Sequence, residues 1–369
     1  MHTTLPSRRL AALLAACVVA WACGASEATP TARESPAPSA GAVGTPVRTA
    51  TPAGSVATPS SSPAPPERER TFELAEYQVP RGSGPHDVAP AADGGVWYTG
   101  QRNGTLGHLD PATGEVREIE LGRGSAPHGV IVGPDGAPWI TDGGLNAIVR
   151  VDPSNDRVEV YPLPDRHRGA NLNTATFDGD GVLWFTGQTG VYGRLDPDEG
   201  RVETYDAPRG RGPYGIATTP AGDVWYASLA GSHIARIDRA SGEATVVRPP
   251  TEDQGARRVW SDSMGRLWVA EWNAGQVAMH DPVSGDWREW PLPGNGAQAY
   301  AVFVDDHDDV WLTDFGANAI VRFDPTSETF ESLELPSAGA AVRQLFGRPG
   351  EVWGAESAVD RLVVVRSGS

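Results

Sequence analysis

From about Thr71 onward, short apolar runs alternate with turn residues, most clearly over residues 126–164, APHGVIVGPDGAPWITDGGLNAIVRVDPSNDRVEVYPLP. Four strands are predicted there: His128 to Val132 innermost, Pro138 to Thr141 second, Ala147 to Asp152 third and Val158 to Pro162 outermost. The pattern then recurs along the chain. Aligned on the tryptophan that follows the Asp-Gly-type turn, the copies have anchors at Trp97, Trp139, Trp184, Trp225, Trp268, Trp311 and Trp353, with spacings of 42, 45, 41, 43, 43 and 42. A period of about 40 to 45 residues, made of four short strands, is that of a propeller blade. The predicted fold class is therefore all-β, a seven-bladed β-propeller over residues 71–369 with no room for a second domain.

Asp110-Pro111, Asp152-Pro153, Asp196-Pro197, Asp281-Pro282 and Asp324-Pro325 fall between third and fourth strands. Proline fixes the turn and cannot continue a ladder, so these are hairpin corners. The seventh unit stops after its third strand, Arg361 to Arg366, whereas Phe72 to Val79 resembles a fourth strand placed before the first unit. The ring is expected to close with this N-terminal segment as a latch, which removes exposed edges. The anchor tryptophans are expected to pack blade against blade.

The first residues change the picture of where the domain works. Arg8 and Arg9 precede an apolar run, Leu10 to Ala22, too short to span a bilayer, followed by Cys23-Gly24. Residues 1–23 are read as a lipoprotein-type signal peptide with Cys23 lipidated; Cys17 competes for that role, and ordinary secretion is the alternative. Residues 24–70, rich in Pro, Ala, Ser and Thr, cannot offset the entropy of ordering and are expected to be a disordered tether. The expected location is the extracytoplasmic cell envelope, with membrane contact only through the lipid and the propeller a monomer.

A formal net charge of −17 argues against nucleic acid as a partner. Both cysteines lie in the leader, so no disulfide or cysteine metal site is expected in the propeller. Ligand sites in propellers gather at one mouth of the central channel. Two positions per unit should face it. Eleven residues before each anchor tryptophan stand His86, His128, Asn173, Tyr214, Arg257, Tyr300 and Val342; three residues after it stand Gly100, Asp142, Gly187, Ser228, Glu271, Asp314 and Glu356. Glu271, Asp314 and Glu356, in consecutive blades, suit a hard cation such as Mg²⁺ or Ca²⁺, or else cap their own turns. His86 or His128 suits a general base. Asn173, Tyr214, Arg257, Tyr300 and Asp142 are candidate ligand-binding residues; Arg257 suits a carboxylate or phosphate. No nucleophile motif accompanies them.

Gly212-Pro213-Tyr214-Gly215-Ile216, Ala126-Pro127-His128-Gly129-Val130, Leu183-Trp184-Phe185-Thr186 and Gly193-Arg194-Leu195-Asp196 carry a further pattern. Laid out as P-H/Y-G-I/V, then W-F-T, then G-R-L-D, the repeat resembles the virginiamycin B lyase (streptogramin lyase) family of seven-bladed propellers. The resemblance implies elimination at the ester of a cyclic depsipeptide, with Mg²⁺ and a histidine base. It also places that histidine at the Pro-His position of the last blade, a carboxylate two residues before it, an acid past the last tryptophan, and a second histidine one blade earlier. The matching positions here are Val342, Ala340, Glu356 and Tyr300. Two readings follow: a metal-assisted lyase or hydrolase acting on an ester, lactone or peptide ligand, or a non-catalytic extracytoplasmic binding or sensing propeller.

Overall fold

The computed structural model describes residues 70–368; the leader, Cys17 and Cys23, and residues 24–69 of the expected tether lie outside the described residues. Twenty-eight strands, numbered β1 to β28 in chain order, form seven four-stranded antiparallel sheets. The second blade runs β6 (Pro127–Val132), β7 (Pro138–Asp142), β8 (Ala147–Val151) and β9 (Val158–Pro162) in that order, within about a residue of the segments that the sequence periodicity predicts. The other innermost strands are β2 (Pro85–Pro90), β10 (Leu172–Phe177), β14 (Pro213–Thr218), β18 (Ala256–Ser261), β22 (Ala299–Val304) and β26 (Val342–Arg348). The N-terminal strand β1 (Phe72–Gln78) pairs with β28 (Arg361–Ser367), from Phe72 opposite Ser367 to Gln78 opposite Arg361. It thereby supplies the outer strand of the seventh blade.

Apolar side chains of one blade face bury against the next blade, so the core is a ring of seven seams. Trp139 packs on Leu172, Ala175 and Phe185 of the third blade, and Trp353 packs on Val88 and Tyr98 of the first. All seven anchor tryptophans are buried. Four of them donate the indole N–H to an aspartate in the hairpin between first and second strands: Trp139 to Asp135, Trp184 to Asp178, Trp268 to Asp262 and Trp311 to Asp305. The fourth blade has Thr219 at that position, and the buried Trp225 Nε1 has no partner. A turn aspartate and a buried tryptophan therefore form one unit, each satisfying a group that the other leaves open.

Every innermost strand shifts register near its start, between Pro85 and Val88 in the first blade and at the matching place in the other six. Such a bulge turns consecutive residues toward the channel. In several blades a threonine two residues after the tryptophan pins it. Thr99 Oγ1 accepts from the Asp87 amide at 3.1 Å and donates to the His128 carbonyl of the next blade at 2.8 Å. Thr141 repeats this between Gly129 and Asn173, and Thr186 between Thr174 and Tyr214. The same hydroxyl thus fixes the bulge and the distance to the next blade.

Candidate functional site

The bulges bring His86, His128, Asn173, Tyr214, Arg257 and Tyr300 together at one end of the channel. The seventh position differs from the sequence expectation. Val342 pairs with Glu356 as Ala299 pairs with Asp314, so the channel-facing residue that matches Tyr300 is Arg343, and Val342 is buried in a seam between blades. The cause is the hairpin Arg348-Pro349-Gly350-Glu351, where proline and Gly350 at φ 78° make a turn one residue shorter than Asp305 to Asp309 in the sixth blade. Counting back from Trp353 therefore lands one residue early, and the residue two before the channel position is Ala341 rather than Ala340.

The first sector of the ring holds the histidines. The His86 and His128 rings lie 3.7 Å apart between centroids. His86 Nδ1 faces Asp87 Oδ1 at 2.8 Å, and His128 Nδ1 donates to the Asn173 carbonyl at 3.1 Å. Burial, then Arg258, holds the His86 pKa well below the usual imidazole value; burial, then His86 itself, does the same for His128. Both rings are therefore neutral at pH 7. Below them Arg258 crosses the channel from the fifth blade and grips Asp87 of the first with both ends of its guanidinium, at 2.9 and 3.2 Å. Both partners are buried.

The opposite sector is built of arginine and tyrosine. The Tyr214 and Tyr300 hydroxyls are 2.6 Å apart. Arg257 donates to the Tyr214 hydroxyl at 3.0 Å while its guanidinium carbon lies 3.6 Å from the centre of the Tyr300 ring, whose other neighbour, Phe315, is stacked at 4.6 Å. Arg343 donates to the Tyr300 hydroxyl at 3.3 Å and to Ser357 Oγ at 2.7 Å, and Arg102 donates to the Ser357 carbonyl at 2.8 Å. Among the described residues, Arg102, Arg257 and Arg343 make no ion pair with a carboxylate. Exposed Arg81, Arg123 and Arg211 stand in loops at the same end. Asp165, Glu252 and Asp253 stand in connections at the same end, so the positive charge is concentrated in the arginines around the mouth rather than spread over the whole end.

The acids three residues after each tryptophan do not converge. Asp142 accepts from the amides of Ala126 and Leu145, and Asp314 from those of Gln298 and Gly316; both cap their own turns. Glu271 accepts from Gln276 Nε2 at 2.6 Å, with its other oxygen buried and unpartnered. Burial pushes its pKa up to about 8. Glu356, with neither oxygen partnered, lies beside Glu76 of β1; burial first, then that neighbour, pushes its pKa up to about 8 as well. The expected metal set of Glu271, Asp314 and Glu356 is thus not assembled. Among the described residues, the one group of three potential ligand side chains in reach of one another is His86, Asp87 and His128. Of the candidate ligand-binding residues, Asn173, Tyr214, Arg257 and Tyr300 stand at the mouth, whereas the Asp142 carboxylate is taken up by Ser125 and by the amides of Ala126 and Leu145. Asp87, Arg258 and Arg343 are additions; Arg258 follows Arg257 directly in the sequence, and Asp87 follows His86.

The Virginiamycin B lyase family profile matches residues 67–282, more than half of the chain. A search of curated proteins found no match. Among solved structures, the selenomethionine form of virginiamycin B lyase from Staphylococcus aureus superposes with a TM-score of 0.74 at 22% identity, covering 80% of this chain and 99% of that one. A streptogramin B lyase gives 0.74 at 25% identity, with coverages of 80% and 98%. A catalytically inactive variant of the S. aureus enzyme with quinupristin gives 0.74 at 23% identity, with coverages of 80% and 99%. By sequence profile and by architecture, this chain belongs to the virginiamycin B lyase family.

Proposed function

We propose that this protein is a ligand-binding propeller whose channel mouth recognises an anionic group on a small molecule, and that it does not carry out the metal-dependent elimination that the family resemblance implies. The observation that carries the reading is the trio Arg102, Arg257 and Arg343, which lies at the mouth without carboxylate partners. Guanidinium groups held by hydroxyl and carbonyl acceptors keep N–H donors for a carboxylate, sulfate or phosphate. The family profile stops at residue 282, before the sixth and seventh blades, where the family's acting groups are expected.

Mg²⁺ does not fit the residues present. The family's base position in the seventh blade holds Arg343, the carboxylate position two before it holds Ala341, and Tyr300 replaces the second histidine. Glu356 remains, but it lies beside Glu76 and favours a proton. A hard cation needs several ionised oxygens, and three arginines at the mouth oppose it. His86 and His128 are neutral imidazoles that offer hydrogen bonds to the same ligand. The leader and tether support a lipid-anchored, extracytoplasmic location, where the mouth would sample small molecules outside the membrane.

Calorimetric titration tests the reading, with malonate and sulfate as probes and MgCl₂ as the contrast. Saturable binding of either anion that is lost in Arg343→Ala supports it. Stoichiometric Mg²⁺ binding without anion binding contradicts it.

A further inference from the structure

The channel has a second end. There, a cavity of about 510 Å³ opens away from the histidine and tyrosine mouth, well within the roughly 300–1,000 Å³ typical of small-molecule sites. Its floor is the Asp87–Arg258 pair, which crosses the channel between the two ends, with Thr174 and Gln344 beside it. Its wall is apolar and aromatic: Ile131, Phe177, Trp260 and Phe346. Trp260 is held by edge contacts to Phe303 and Phe346, both at 5.1 Å, and remains only partly buried.

The polar groups of this chamber have donors to offer and few acceptors. Gln344 Oε1 accepts from the Val88 amide at 2.9 Å, which leaves its amide nitrogen without a partner among the described residues. Arg258 is 4% exposed; its terminal nitrogens are engaged by Asp87 and Thr174, and its Nε is enclosed rather than open to the chamber. The Thr176 and Thr218 hydroxyls, 3.2 Å apart, bond to each other, so one of the two hydrogens is unused. The Asp87 oxygens are already taken by Arg258 and His86. The hairpin turns at this end carry Asp135, Asp178, Asp223 and Asp262, each paired with an arginine, Arg150, Arg239, Arg236 and Arg266, so they set up little field for a ligand of either sign. An ion pair of zero net charge at the floor adds no preference for either sign.

We infer that this chamber is a second binding site, for a flat, uncharged aromatic molecule bearing a carbonyl acceptor. The ring lies against Trp260 and Phe346, and the carbonyl accepts from the Gln344 amide nitrogen. Offset or edge-on contact with the indole supplies orientation as well as burial. The chamber shares the Asp87–Arg258 pair with the mouth, but which ligand it takes does not depend on the identity of the one bound at the mouth.

Coumarin, a neutral planar lactone, is a suitable probe, followed by saturation-transfer NMR and tryptophan fluorescence on the full chain. Gln344→Glu keeps the acceptor for the Val88 amide and replaces the free donor; Thr218→Phe fills the chamber; Arg343→Gln alters only the mouth. Saturable binding to the wild type and to Arg343→Gln, weakened about tenfold by Gln344→Glu, is expected from the loss of a hydrogen bond in a buried site. Binding should vanish in Thr218→Phe, and Gln344→Glu carries the test should that variant fail to fold. Absence of saturable binding overturns the inference. So does binding that Arg343→Gln weakens and Gln344→Glu leaves unchanged.

Discussion

Arg258 reaches across the channel from the fifth blade and holds Asp87 of the first in a bidentate pair at 2.9 and 3.2 Å, with both groups buried. Because Asp87 also orients His86, the pair is a strut between distant blades and a support for the mouth. Arg258→Ala would leave Asp87 charged and buried, which costs about 3–5 kcal/mol. Denaturant unfolding monitored by tryptophan fluorescence checks the loss. The double variant Asp87→Leu with Arg258→Met should recover most of it, since no charge is then left alone.

Thr219→Asp should stabilise the protein. It gives the fourth blade the turn residue that Asp178, Asp262 and Asp305 supply elsewhere, and it offers Trp225 Nε1 an acceptor. Satisfying one buried donor is worth about 1–2 kcal/mol, visible as a higher denaturation midpoint with an unchanged slope. A Trp225→Phe background should remove the gain.

Stability should fall on the alkaline side earlier than the sequence composition suggests. Glu271 and Glu356 titrate near 8 in the folded protein against an ordinary 4.5, so the native state holds more protons than the unfolded chain between those values. The stabilisation is complete below about pH 4.5 and is lost as pH rises through about 8. Glu356→Gln cannot ionise and should flatten the loss. Thermal melts at pH 6 and pH 9 should differ less for this variant than for the wild type.

Tyr300 offers a spectroscopic view of the mouth. Burial raises its phenol pKa, but Arg257, Arg258 and Arg343 together outweigh burial and bring it below the ordinary tyrosine value. Arg343→Gln should therefore shift one phenolate transition in the ultraviolet titration to higher pH. An unchanged titration would mean that Arg343 does not act on the Tyr300 hydroxyl.

The ring of blades was legible because each repeat carries its own tryptophan, hairpin turns and alternating strands. The first six channel positions followed from counting back from that tryptophan. The seventh did not, since the Pro349-Gly350 turn shortens the hairpin and moves the channel position from Val342 to Arg343. A Pro-Gly pair in place of a five-residue turn was the available signal. Asp87 and Arg258 were hidden by the bulge, because strict strand alternation sends only one of two neighbours toward the channel. The acids failed for a different reason. The end of each second strand lies near both the mouth and its own turn amides, and spacing alone does not tell which of the two Asp142 and Asp314 face.

Incubation of the full chain with quinupristin and Mg²⁺, followed by liquid chromatography and mass spectrometry, tests the central claim most directly. With Arg343 and Ala341 at the seventh-blade positions, the antibiotic should be recovered unchanged in mass and retention time. An isobaric product with a shifted retention time, dependent on Mg²⁺, would show ring opening by elimination and contradict the reading of this mouth as an anion-binding site without the family's chemistry.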